Sequence, residues 1–389
     1  MLTLLLKINY SGLISLNTFA DLSRIHFSSF DTLRFFAFMK VFLLHIPLDG
    51  FFPNFSMIQR GGGIGVSFFF VLSGFLISYL LMQEKLASHR IDLLKFYKRR
   101  AFRIWPLYFL LIGIVFMLPF AVKQDYGLHM VGGGYDLDWR YSFTFMENYK
   151  MIQMDSFPKT TPFSVFWSLC IEEHFYILWG LIFYYVPIKY VGKVFLGCIL
   201  LAWLARGIEW SYSSNLYIQT NDLFTNLDYF SFGACLAYFL VLKGRIFTPL
   251  SFWSQRNIQV LSLVILLLLL IFQYSYMPRS SMWLFLFRPT WFALVFTLIL
   301  AFFVCPNRKI SMKIPALDYL GQRSFGLYVF HIIAIHMGYQ FCLTHHIRID
   351  DTTKLLLFIT CAFGISVLVS MISYRFFESP LLRLRERLA

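Results

Sequence analysis

The chain has 389 residues and a formal net charge of +14; 58% of its positions are hydrophobic, 20% aromatic and only 14% charged. Soluble domains carry about 25% charged residues, so a soluble fold, which would need far more polar surface, is excluded and an all-α, polytopic membrane protein is expected. The positive charge suggests nucleic acid at first sight, but topogenic loops account for it better, and no nucleic-acid partner is expected.

Residues 1–29 lack the basic start and small-residue cleavage site of a secretory leader and read as an N-terminal extension of the membrane domain, 30–380, which a basic cytoplasmic tail, 381–389, follows. Apolar runs of about 17–25 residues mark spanning helices. Ten are predicted: 30–47, 63–82, 103–120, 165–187, 190–207, 222–242, 257–277, 288–305, 319–341 and 355–377. With the N-terminus inside, the inner segments hold 22 Lys and Arg against 10 in the outer ones, although the longest loop, 121–163, is outer. That asymmetry predicts both termini in the cytoplasm, with the inner (plasma) membrane of a bacterium as the expected location. The six cysteines (Cys170, Cys198, Cys235, Cys305, Cys342 and Cys361) are scattered singly in or beside apolar runs and read as small buried hydrophobes rather than a disulfide framework.

The first span opens "FDTLRFFAFMKVFLLH". Arg34 and His45 lie eleven residues apart, about 16 Å along a helix, which puts Arg34 near the inner face and His45 near the outer one. A snorkelling arginine and an inconsequential membrane-end histidine are the ordinary alternative. The second span, "GGGIGVSFFFVLSGFLIS", is rich in small residues that permit close helix packing or ligand approach. Before the third span, "KFYKRRAFRIWPLY" is either a topogenic cluster or an anion site. Arginine binds phosphate bidentately, and a donor such as coenzyme A presents several phosphates.

The fourth span contains "FWSLCIEEHFY". A carboxylate at the centre of a membrane helix costs about 2.5–3.5 kcal/mol on insertion scales, so this stretch needs a compensating partner or a wet edge. Glu172 shares a helix face with Ser168 and Tyr176 and is expected to face a polar cavity, opposite His45, with Glu173 and His174 at its edge. Further on, His331 falls midway through the ninth span, where an ionisable group is a functional candidate by default. Arg375 and Glu378 are spaced to form a helix ion pair.

Together, "FDTLRFFAFMKVFLLH", "FFFVLSGFLIS", "RRAFRIWPLY", "FWSLCIEEHFYILW", "LGQRSFGLYVFH" and "RFFESP" resemble, in their order, the acyltransferase-3 family of integral membrane acyltransferases over roughly residues 28–380. The resemblance implies transfer of an acyl group, most often acetyl, from cytoplasmic acetyl-CoA to a hydroxyl of a cell-surface or exported glycan, with no metal. It implies donor binding by Arg34, Arg100 and Arg103, catalysis by His45 and Glu172, and substrate binding by Trp167, Ser168, Asp228 and His331. The histidine would deprotonate the acceptor or carry the acyl group itself, oriented by the carboxylate. One departure stands out. The family's Thr-Arg-x-Asp pattern reads "TNLD" here, with Asn226 in place of the arginine and Asp228 kept. No appended soluble esterase-like domain is expected, since the chain ends at Ala389. The rival readings are a transporter or flippase of a lipid-linked saccharide, and an acyltransferase whose acceptor is a lipid or small molecule.

Overall fold

The structure, a computed structural model, describes residues 29–47, 61–130, 133–212, 217–243, 281–304 and 314–388, together with Phe27, Phe55, Gln59, Asn215, Val260 and Val264. The predicted extension up to residue 26 and the seventh predicted span, apart from Val260 and Val264, lie outside the described residues. The described chain is a helical bundle. The long helices are α1 (Ser29–Leu44), α2 (Gly63–Ser88), α3 (Leu93–Met117), α4 (Trp167–Tyr185), α5 (Ile188–Tyr212), α6 (Leu227–Lys243), α7 (Met282–Val304), α8 (Ser324–Thr344) and α9 (Thr352–Ser373). Among the described residues, seven helices are long and apolar enough to cross a membrane. Helix α1 has only 16 residues, and α4 is made more polar by Glu172, Glu173 and His174.

Three boundaries differ from expectation. Helix α3 starts ten residues before the predicted third span, because the side chain of Asp92 accepts from Lys95 N at 2.9 Å and caps it. The basic cluster is therefore helical, and Arg100 and Arg103 share a face while Lys98 does not. The ninth predicted span is broken at Arg323, with the short helix Pro315–Gln322 before it and α8 after it. The tenth continues past Ser373 through a π-turn, Tyr374–Glu378, into the helix Ser379–Leu388. In that turn Glu378 accepts from Ser373 Oγ at 3.0 Å.

Helices α2 and α6 cross backbone to backbone. A Cβ on Gly74 would lie 2.1 Å from the Phe230 carbonyl oxygen, and one on Gly233 2.0 Å from that of Val71. Only glycine permits this approach, which is how small residues join membrane helices that gain nothing by excluding water from one another. The same device seats the helix Pro315–Gln322 on α1, where a Cβ on Gly321 would meet the Asp31 carbonyl oxygen and Thr32 Oγ1 donates to Asp318. Lys85 of α2 donates to the carbonyl oxygens of Phe183 and Val186 at 2.5 and 2.7 Å, satisfying the end of α4. Five described cysteines are free thiols.

The 121–163 connection is a built structure of short helices and turns. Glu147, 0% exposed, accepts from Tyr135 OH at 2.5 Å and Ser142 Oγ at 2.8 Å. Asn148 Nδ2 donates to the Asn221 carbonyl oxygen at 2.9 Å, joining this loop to the next one on the same face.

Candidate active site

A cavity of about 200 Å³ opens between α1, α2, α3, α4 and α8. Its wall on α2 runs from Val66 to Leu80, about 21 Å along the helix axis and most of a hydrocarbon core of about 30 Å. That wall is mainly apolar, and the cationic lining comes from other helices: Arg34 from α1, and Arg100 and Arg103 from α3. The helical start of α3 explains the sorting of the basic cluster. Arg99 turns away to pair with Glu84 at 3.1 Å, while Arg100 and Arg103, three residues apart, turn inward. Arg34 is held by Asp31 at 2.6 Å, and Gln322 Nε2 donates to the other Asp31 oxygen at 3.2 Å.

Glu172 lines this cavity, accepting from Ser73 Oγ at 2.9 Å and Tyr176 OH at 3.3 Å. Its carboxylate shares the cavity lining with the arginines. Glu173 points elsewhere and accepts from Trp105 Nε1 at 3.1 Å, and the ring of His174 stacks on Tyr149 at 5.5 Å. The end of the cavity away from Leu80 is closed by hydroxyl groups. Tyr328 OH donates to the Val165 carbonyl oxygen at 3.0 Å, and Ser168 Oγ lies 2.6 Å from Tyr328 OH. Trp167 is half-buried beside this closure and is not part of the cavity wall.

His45 is not in the wall either. It stands beyond the hydroxyl closure, where its Nδ1 is 3.2 Å from Nε2 of His331, one turn along α8 from Tyr328. The partner that the structure gives His45 is thus His331 and not the expected Glu172. Spacing could not show this, because the contact joins residues 286 positions apart.

The structure places Asp228 away from the cavity. It is 0% exposed, and its carboxylate accepts from Arg206 Nη2 at 2.6 Å, Thr290 Oγ1 at 2.6 Å and Tyr229 N at 3.1 Å. Its cation comes from another helix. Arg206, also 0% exposed, donates to Asp228, to the Thr225 and Leu286 carbonyl oxygens and to Thr290. Asn226 donates to the Asp222 carbonyl oxygen at 2.7 Å and so closes the turn before α6.

On the loop face, burial raises the Glu147 carboxyl above its ordinary range, against the hydrogen bonds from Tyr135 and Ser142. The folded loop then keeps this proton at pH values where the unfolded chain has lost it. The resulting stabilisation is complete below the ordinary carboxylate range and is lost as pH rises through the folded value. His129, pushed down by burial, works in the opposite sense, so wild type must be compared with Glu147→Gln. Exchange protection of residues 133–165, relative to that variant, is expected to rise as pH falls from neutral into the ordinary carboxylate range. A difference that does not vary with pH would refute the assignment.

Residues 27–375 match a family of membrane acyltransferases described as "Acyltransferase domain". The peptidoglycan O-acetyltransferase OatA of Listeria monocytogenes is 26% identical over 380 residues, covering 92% of this chain and 56% of that protein. The O-acetyltransferase OatA of Staphylococcus aureus is 27% identical over 372 residues, covering 90% and 56%. A putative peptidoglycan O-acetyltransferase of Bacillus subtilis, YrhL, is 35% identical over 157 residues, covering 38% and 22%. The chain spans 56% of the length of both OatA proteins. No solved structure matches it. With the match running through nearly every described helix, the chain belongs to the acyltransferase-3 family of multi-pass membrane proteins.

Proposed function

We propose that the chain moves an acetyl group from cytoplasmic acetyl-CoA to a hydroxyl of a cell-wall glycan. The observation that carries this reading is a cavity lined both by three arginines and by the apolar side chains of α2. Arg34, Arg100 and Arg103 suit the phosphates of the donor, and the apolar side of α2 suits its pantetheine arm and thioester. The peptidoglycan O-acetyltransferases among the relatives favour a cell-wall sugar as acceptor. The family match favours an enzyme over a flippase.

In the proposed reaction His45 is the general base. Its Nε2 takes the proton of the acceptor hydroxyl as that oxygen attacks the thioester carbonyl. The carbon–sulfur bond breaks, the new ester forms, and coenzyme A leaves as the thiolate, which takes up a proton. Glu172 balances the charge of the arginine wall. Ser168 and Tyr328 form the boundary between the donor space and the base, and Trp167 supports the start of α4.

The test is release of coenzyme A thiol by the purified chain supplied with acetyl-CoA. Each charge-assisted contact is worth about 1.5–3 kcal/mol, so Arg103→Ala is expected to raise the KM for acetyl-CoA about 10- to 150-fold, with kcat changed much less. Arg100→Ala/Arg103→Ala is expected to go further. An unchanged KM in the double variant would refute donor binding at this wall.

A further inference from the structure

The contact between His45 and His331 fixes where the protons sit on both rings. A backbone carbonyl oxygen only accepts, so each imidazole nitrogen that faces one must carry hydrogen. Nδ1 of His331 is 2.6 Å from the Tyr328 carbonyl oxygen and is therefore protonated. In the neutral ring this leaves the lone pair on Nε2, which faces Nδ1 of His45 at 3.2 Å. Nδ1 of His45 is also 2.9 Å from the Val41 carbonyl oxygen, so it too carries hydrogen and donates to both acceptors in a three-centre arrangement. The one nitrogen of the pair left with an uncommitted lone pair is Nε2 of His45.

We propose that His331 is a positioning residue, which holds His45 in the tautomer whose Nε2 can take the acceptor's proton. The proposal rests on the reading of His45 as the base. When His45 gains that proton its Nδ1–H bond to His331 becomes charge-assisted and shortens, so the partner helps most as the charge develops. His331 is well suited to hold a direction. It is 0% exposed, and its ring packs edge-on against Phe38 at 5.8 Å and against Phe42 at 6.4 Å. A side chain needed only to fill this space would be less costly as phenylalanine, since a buried imidazole must find partners for its nitrogens.

Three variants of the full-length purified chain test the proposal by acetyl-CoA turnover. Phenylalanine fills the volume of the ring without a lone pair, whereas the side-chain oxygen of glutamine reaches the place of Nε2 and can accept from His45. His331→Phe is expected to lower kcat about 10- to 100-fold, by analogy with the loss of a group that orients a metal-bound histidine, with the KM for acetyl-CoA unchanged. His331→Gln is expected to recover most of that loss. A wild-type kcat in His331→Phe, or a His331→Gln variant that is folded and as slow as His331→Phe, would overturn the proposal. The third variant, His45→Ala, separates the two readings: if it turns over normally the base assignment fails, and if it is inactive while His331→Phe is fully active only the positioning role fails. Should the phenylalanine variant not fold, 15N spectra of histidine-labelled wild type decide. Protonated Nδ1 and unprotonated Nε2 on His45 support the proposal, and the reverse tautomer refutes it.

Discussion

Arg206→Ala is expected to deplete the folded protein from the membrane, and to do so without changing the turnover of the molecules that remain folded. Arg206 and Asp228 are both 0% exposed and meet at 2.6 Å. Removing one member of a buried ion pair leaves the other charge uncompensated and costs about 3–5 kcal/mol, a large part of the 5–15 kcal/mol that holds a typical domain together. Arg206→Lys is expected to recover only part of it, because one ammonium cannot serve Asp228, Thr290 and the carbonyl oxygens of Thr225 and Leu286 together. The double variant Arg206→Met/Asp228→Leu removes both charges and is expected to be more stable than Arg206→Ala. Thermal unfolding in detergent reads the stability, and activity per folded molecule reads the function. If Asp228→Asn shifts the KM of a substrate while leaving stability intact, the pair is a binding element and the structural assignment is wrong.

The second large effect is that of His45→Ala. General-base catalysis contributes about 10²–10⁴-fold, and kcat is expected to fall by that factor with the KM for acetyl-CoA unchanged. Glu172→Gln is expected to behave differently. It sits in the arginine-lined cavity, so its effect should appear in donor KM before kcat. Under the proposed function the two readouts are expected to divide the site along its length, with donor recognition at the arginines and proton transfer beyond the Ser168–Tyr328 closure. A His45→Ala enzyme that still transfers acetyl at the wild-type rate removes His45 from the chemistry.

The helical class was legible, and nine of the ten predicted stretches fall on long described helices, because lipid demands long apolar helices and that demand is written locally. The start of α3 was not, because its first turns are basic and look like a loop when only apolarity is counted; the Asp92 cap was the signal available. Arg206 was not singled out in the sequence; it is buried inside α5, and the clue was Asp228, an intramembrane carboxylate that needs a cation. Glu172 was legible from the cost of burying it. Its neighbours were not: spacing along one helix says which residues share its face, but nothing about the helix opposite, so the contacts of His45 with His331 and of Glu172 with Ser73 emerged only in three dimensions.

The Gly74–Gly233 crossing bears on which wall of the cavity can move. Ligand sites usually enclose about 300–1,000 Å³, whereas this cavity holds about 200 Å³, so a ligand as large as the proposed donor would need the walls to part. Helix α2 is the wall least suited to that: its backbone touches that of α6 at Gly74 and Gly233, and 72% of its most apolar window is buried, against 33% in α3. Room is therefore expected to come from α3, the wall that carries Arg100 and Arg103.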